Sequence, residues 1–182
     1  MDRNSKQLVA NQGAATPDMS SRFDKRFILF VILIAALAAA ASSIVAFFAL
    51  KMWVMFLAWT AFGLGNGSIK GGLFAIISMI VGVIIAMITI IGFTALQPHT
   101  PSFALAIAVF IAVVVVMGMS FTRPVDNIPA CFLGLSAYFG SQMAPNFNTF
   151  ADLGAAIVLG AVAAALVVPL DRLCKENGRL AA

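Results

Sequence analysis

Met52-Trp53-Val54-Met55-Phe56-Leu57-Ala58-Trp59-Thr60-Ala61-Phe62-Gly63-Leu64-Gly65-Asn66-Gly67-Ser68-Ile69-Lys70-Gly71-Gly72 decides the fold. It is a short apolar segment carrying one hydroxyl, followed by a glycine-rich turn and a lone lysine. The chain then says nearly the same thing again. Phe132-Leu133-Gly134-Leu135-Ser136-Ala137-Tyr138 stands where the first copy has Phe56-Leu57-Ala58-Trp59-Thr60-Ala61-Phe62, 76 positions earlier (56 to 132). Each copy lies between two longer apolar segments.

Working outward, the 182 residues are 62% hydrophobic and 10% charged, against roughly 45–50% and about 25% for globular domains. A soluble fold has no interior large enough for that much apolar surface. Four apolar runs of spanning length with two shorter ones between them predict an all-α polytopic membrane protein in one compact domain, with the lipid bilayer as its surroundings. The net charge of +4 sits mainly in the two ends of the chain, as cytoplasmic ends require, and implies no nucleic-acid partner. No CxxC, HExxH or His–carboxylate cluster occurs, so no metal or other cofactor is implied. Cys131 and Cys174 fall on the cytoplasmic side, where a reducing compartment argues against a disulfide between them.

Residues 1–26 are polar, with no helical apolar stripe, and read as a disordered cytoplasmic tail ending in the basic anchor Arg22-Phe23-Asp24-Lys25-Arg26. A basic stretch leading into Phe27–Leu37 and then small residues resembles a secretory signal. The apolar run continues through Leu50, however, and favours an uncleaved first span over 28–50. The membrane domain is 27–170, with further spans at 52–64, 71–96, 102–121, 128–143 and 150–170, and 171–182 is a cytoplasmic tail. At about 1.5 Å per residue the second and fifth spans reach only about 20 and 24 Å, short of about 30 Å of hydrocarbon. They are short or broken helices and belong inside the bundle, with the long ones facing lipid.

With the N-terminus inside, Arg3, Lys6, Arg22, Lys25, Arg26, Lys70, Arg123, Arg172, Lys175 and Arg179 all fall on the cytoplasmic side and Lys51 alone outside. That split satisfies the positive-inside rule and places both termini in the cytoplasm. Pro98, Pro101, Pro124, Pro129 and Pro145 fall at segment boundaries or in first turns, and Pro169 at the end of the last span.

Each copy of the repeated motif is the middle of a three-span unit, 28–96 and 102–170. Three is odd, so the second unit enters from the opposite side and the architecture is a 3+3 inverted repeat. In transporter folds of that kind the solute site lies between the repeats near mid-membrane, on short or interrupted helices. Thr60 and Ser136 occupy matched positions, as do Phe62 and Tyr138, and Trp59, Gly63 and Gly140 flank them. These residues are candidates to line a narrow polar path. The competing reading has each hydroxyl bonded to a preceding carbonyl and each ring filling the core.

Gly65, Gly67 and Lys70 suggest an anion or lipid-headgroup contact, with turned-in backbone amides and one cation. A tight turn with Lys70 reaching the headgroups is the alternative. Asp152 reads as part of an outer helix cap together with Asn146 and Asn148, and His99 as a solvated imidazole. Four-residue spacing of Ala35, Ala39 and Ser43, and of Ala156, Gly160 and Ala164, permits close helix approach within the chain or in a homo-oligomer.

Phe56-Leu57, Thr60-Ala61-Phe62, Lys70-Gly71-Gly72-Leu73, Pro129, Phe132-Leu133-Gly134, Ala137 and Phe139-Gly140 resemble the bacterial inner-membrane family known as domain of unknown function 1097, from about Met52 to Leu170. The resemblance implies a small multi-pass protein of the bacterial cytoplasmic membrane and carries no activity with it. Two functions follow from the residues. One is a channel or facilitator for a small, uncharged polar solute, with its path between the repeats; the absence of buried acids disfavours proton coupling. The other is a non-transporting subunit or scaffold that docks a partner protein. No nucleophile, base and orienting group occur together, so an enzyme is not expected.

Overall fold

The computed structural model describes residues 25–121 and 125–179, which are helical apart from short connections. The expected disorder of residues 1–24, Arg123, Pro124 and the last three residues lie outside the described residues. Six α-helices follow one another: α1 (Lys25–Phe47), α2 (Met52–Gly63), α3 (Ile69–Leu96), α4 (Ala104–Gly118), α5 (Ile128–Ser141) and α6 (Phe147–Arg179). Among the described residues three segments are long and apolar enough to cross a membrane, Ile28–Phe47, Ile69–Leu96 and Phe147–Leu170.

Two expected boundaries change. The fourth span was expected among the long ones, but α4 has only 15 residues before a 3-10 turn at Met119–Phe121. Its N-terminus is set by Pro101, around which Thr100 supplies the carbonyl that accepts from the Phe103 and Ala104 amides. The second and fifth segments are short, at 12 and 14 residues, and neither is broken. The last helix does not stop at Pro169; it carries the proline inside and runs on to Arg179.

Local chemistry sets the helix ends. Ala49 takes a left-handed φ of 53°, and the Leu50 and Ala49 amides donate to the Val45 and Ala46 carbonyls, 3.0 and 3.1 Å. This is the crossed pair of bonds that closes a helix C-terminus. After α2 the chain reverses within Leu64–Ser68. Gly65 presses on the backbone of Gly71 and Gly72, leaving no room for a Cβ. The Ser68 hydroxyl accepts from the Gly71 amide at 3.1 Å and caps α3. Asn127 caps α5 through the Ala130 amide, with Pro129 in the first turn. Asn146, not Asp152, caps α6, accepting from the Thr149 amide at 2.8 Å; Asp152 lies exposed in the second turn.

The packing pairs match across the two halves. α3 lies most closely on α5, and α6 on α2; α4 leans on α3, and α1 on α6; α3 and α6 meet at the centre. One pair breaks the match: α2 touches α3 beside the glycine turn, and α5 has no comparable contact with α6. The closest approaches also match. A Cβ at Gly82 of α3 would land on the Cys131 carbonyl of α5, and one at Gly160 of α6 on the Met55 carbonyl of α2. Met55 and Cys131 are 76 positions apart, the same offset as Phe56 and Phe132. Gly134 completes the α3–α5 seam against the Met79 carbonyl.

Between helices apolar enough to cross a membrane, such backbone-to-backbone fits can take the place of the hydrophobic effect in association. They also use the small-residue face of α6. Ala156, Gly160 and Ala164 are buried within the chain, so this face is not open to a second copy as the homo-oligomer expectation allowed. Ala35, Ala39 and Ser43 on α1 do face outward.

Helices α4, α3, α6 and α1 thus form a layer in that order, and α5 and α2 lie in front of it. The expectation of short helices enclosed by long ones is corrected. Each short helix packs one face against the layer and leaves the other exposed, as α3 itself does.

Candidate functional site

A helix turns about 100° per residue, so positions two apart point nearly opposite ways. Ala58 and Phe62 face the core, and Thr60 between them must face out. It does, and its hydroxyl donates to the Phe56 carbonyl at 3.0 Å. Gly134 and Tyr138 are buried in the same way, and Ser136 is exposed. The two hydroxyls therefore do not line an enclosed path within the chain, and Phe62 and Tyr138 do not share their face. The interior between the helices is filled by Val54, Ala58, Ala61, Met79, Leu135 and Ala137.

The rings hold local structure instead. Phe62 seals Gly72, where an added Cβ would come within 2.6 Å of its ring. The Tyr138 hydroxyl donates to the Met143 carbonyl at 3.1 Å, bracing the left-handed turn at Gln142 that ends α5. The buried hydroxyls of Ser78, Thr89 and Thr149 donate to the Phe74, Ile85 and Ala144 carbonyls. Among the described residues no buried side-chain nitrogen or oxygen lacks a partner, and Cys131 is a buried free thiol.

What the structure brings together is an exposed seam. Trp53, Phe56, Thr60 and Gly63 form the outward stripe of α2, and Pro129, Phe132, Ser136 and Gly140 that of α5. The helices run in opposite directions. Trp53, at the start of α2, packs its indole on Gly140 at the end of α5, while Leu64 and Gly65 beyond the end of α2 share a cavity with Asp126 and Asn127 before α5. Counting from the Trp53–Gly140 contact, Phe56 is three residues along and Ser136 four; Thr60 is seven and Phe132 eight. Each hydroxyl therefore stands level with a phenyl ring on the neighbouring helix, and the order is swapped between the two levels.

Two cavities flank the glycine turn. One of ≈ 230 Å³ is lined by Phe30, Trp59, Phe62, Gly63, Gly67 and the end of the α6 apolar stretch, which places Trp59 and Gly63 together but away from Ser136. The other, ≈ 240 Å³, is the more polar and is lined by Gly65, Asn66, Gly71, Asp126 and Asn127 among others. Several amides of the turn are already committed: those of Leu64 and Gly65 donate to the Ala61 and Phe62 carbonyls at the end of α2, those of Ser68 and Gly72 to the Gly65 and Ser68 carbonyls, and that of Gly71 to the Ser68 hydroxyl. Gly67 supplies a positive φ of 65°, and the exposed Lys70 stands 5.9 Å from the Phe74 ring centroid. No group of three or more His, Cys, Asp or Glu that could hold a metal occurs among the described residues.

Thr60 and Phe62 are neighbours along the chain but point nearly opposite ways around the helix, so chain proximity does not reveal the outward stripes. Phe56 and Thr60, and Phe132 and Ser136, spaced by four, carried the signal.

Compared with known proteins, residues 31–169 match the family model described as "Protein of unknown function (DUF1097)". No curated protein and no solved structure matches the chain.

Proposed function

The chain belongs to the DUF1097 family, whose description assigns no activity, and from the geometry we propose that it is a facilitator of the bacterial cytoplasmic membrane passing a small, uncharged polar solute along the α2–α5 seam. All six helices cross the bilayer with both ends inside, as the Lys and Arg distribution requires. The two halves are inverted repeats. The matched packing pairs, and the matched Gly82–Cys131 and Gly160–Met55 contacts, support this reading.

The observation that carries the function is the placement of Thr60 and Ser136. They are hydroxyls at matched positions of two adjacent short helices, each level with a phenyl ring, on a face the core does not fill. Short paired elements at a repeat interface are where solute sites lie in inverted-repeat transporters. Hydroxyls with aromatic neighbours and no ionisable side chain suit a neutral polar solute.

A second reading, a non-transporting subunit docking a partner protein, is favoured by the apolar interior of the single chain. Flux of small polar solutes into proteoliposomes separates the two. Transport above that of empty vesicles, lost in Thr60→Val/Ser136→Ala, supports the facilitator; flux equal to empty vesicles for every solute refutes it.

A further inference from the structure

Lipid does not suit the α2–α5 face. At about 1.5 Å per residue, 12 and 14 residues span about 18 and 21 Å of a hydrocarbon layer about 30 Å thick. The connections at their ends, Leu64–Ser68 on one side and Gln142–Asn146 on the other, would then lie within reach of lipid tails. Irregular backbone at that depth persists only where protein or a water-filled cavity covers it. A second copy of this chain is short at the same place by construction, and short spans relieve mismatch by associating.

The relief of the face points to the same occupant. On one level a ring, Phe56, stands beside a small side chain, Ser136; on the next a small side chain, Thr60, stands beside a ring, Phe132. A twofold axis along the membrane normal brings the α5 of one copy opposite the α2 of the other without changing levels. Phe56 then faces Ser136 of the second copy, and Phe132 faces Thr60, ring against gap at each contact. A twofold interface must be complementary to itself in this way. The face has no charged side chain in its stripes that such pairing would bring together.

We infer that the α2–α5 face is the interface of a twofold homodimer, in which Phe56 and Phe132 of each copy fill the gaps at Ser136 and Thr60 of the other. The dimer gathers four hydroxyls around its axis. The inference does not rest on the transport reading, since it concerns contact between chains and not passage of solute.

The test uses the full chain in lipid bilayers with Cys174→Ser as background, the buried Cys131 being retained. Differently tagged Phe56→Cys and Ser136→Cys copies, co-expressed and mildly oxidised, are expected to give a mixed disulfide dimer in most of the protein. Phe110→Cys, exposed on α4, is expected to give less than a tenth of that yield. Subunit counting by single-molecule photobleaching of the wild type should show two copies. Ser136→Phe should lower the dimer fraction at least tenfold, and Phe56→Ser added to it should restore the fraction to within twofold. A wild type that counts as one copy, or a crosslink that forms through Ala39→Cys on α1 and not through the Phe56–Ser136 pair, overturns the inference whatever the flux measurements show.

Discussion

Replacing Gly82 by alanine should unseat α5 from α3. The added methyl would land on the Cys131 carbonyl group, with the Cys131 Cα 3.1 Å away. These are backbone atoms of a packed helix, so no rotamer change can make room. Gly92, ten residues further along the same helix, has nothing within 4 Å of where its Cβ would be. Both substitutions raise helix propensity by the same roughly 0.5–1 kcal/mol, so that gain cancels when the two variants are compared. What is left is the overpacking term, about 1–3 kcal/mol, and its upper end applies because both helices must move as units. Gly82→Ala is therefore expected to be about 3 kcal/mol less stable than Gly92→Ala. Titration of the protein in bicelles with SDS, followed by fluorescence of its two tryptophans and far-UV circular dichroism, measures the difference. Gly160→Ala should behave as Gly82→Ala, since its methyl meets the matched carbonyl of Met55. Equal midpoints for Gly82→Ala and Gly92→Ala would refute the close backbone packing on which the matched helix pairs depend.

Ala49→Gly should stabilise the protein by about 0.5–1 kcal/mol. The left-handed φ of 53° costs an L-residue about 1–2 kcal/mol, partly offset by the freedom a glycine loses on folding; a lowered unfolding midpoint would count against that C-terminal turn. Tyr138→Phe should cost about 1 kcal/mol, because the Met143 carbonyl loses its buried donor, with amide exchange rising first around Gln142. Asn127→Ala removes the α5 cap and should cost about 1 kcal/mol by the same titration. Thr60→Val and Ser136→Ala, both exposed, should each move stability by no more than about 0.5 kcal/mol, so that any loss of flux in them cannot be assigned to unfolding.

Much of this protein could be read from its residues alone. Composition settled the helical, membrane-compatible class. The return of Phe56–Phe62 as Phe132–Tyr138 located the two short helices and the offset that later matched Met55 with Cys131. Proline positions placed most boundaries to within a few residues, whereas the caps Ser68 and Asn127 became visible only in the structure. Tertiary structure alone decided which helix lies against which, and which face of each is inward. The reason is physical: these helices are apolar on every side, so no polar stripe marks an outside. Position is set instead by where two backbones can touch, at Gly82, Gly134 and Gly160, and only coordinates show which carbonyl each glycine meets. That contact turned Ala58 and Gly134 inward, and Thr60 and Ser136, two residues further along, had to turn out.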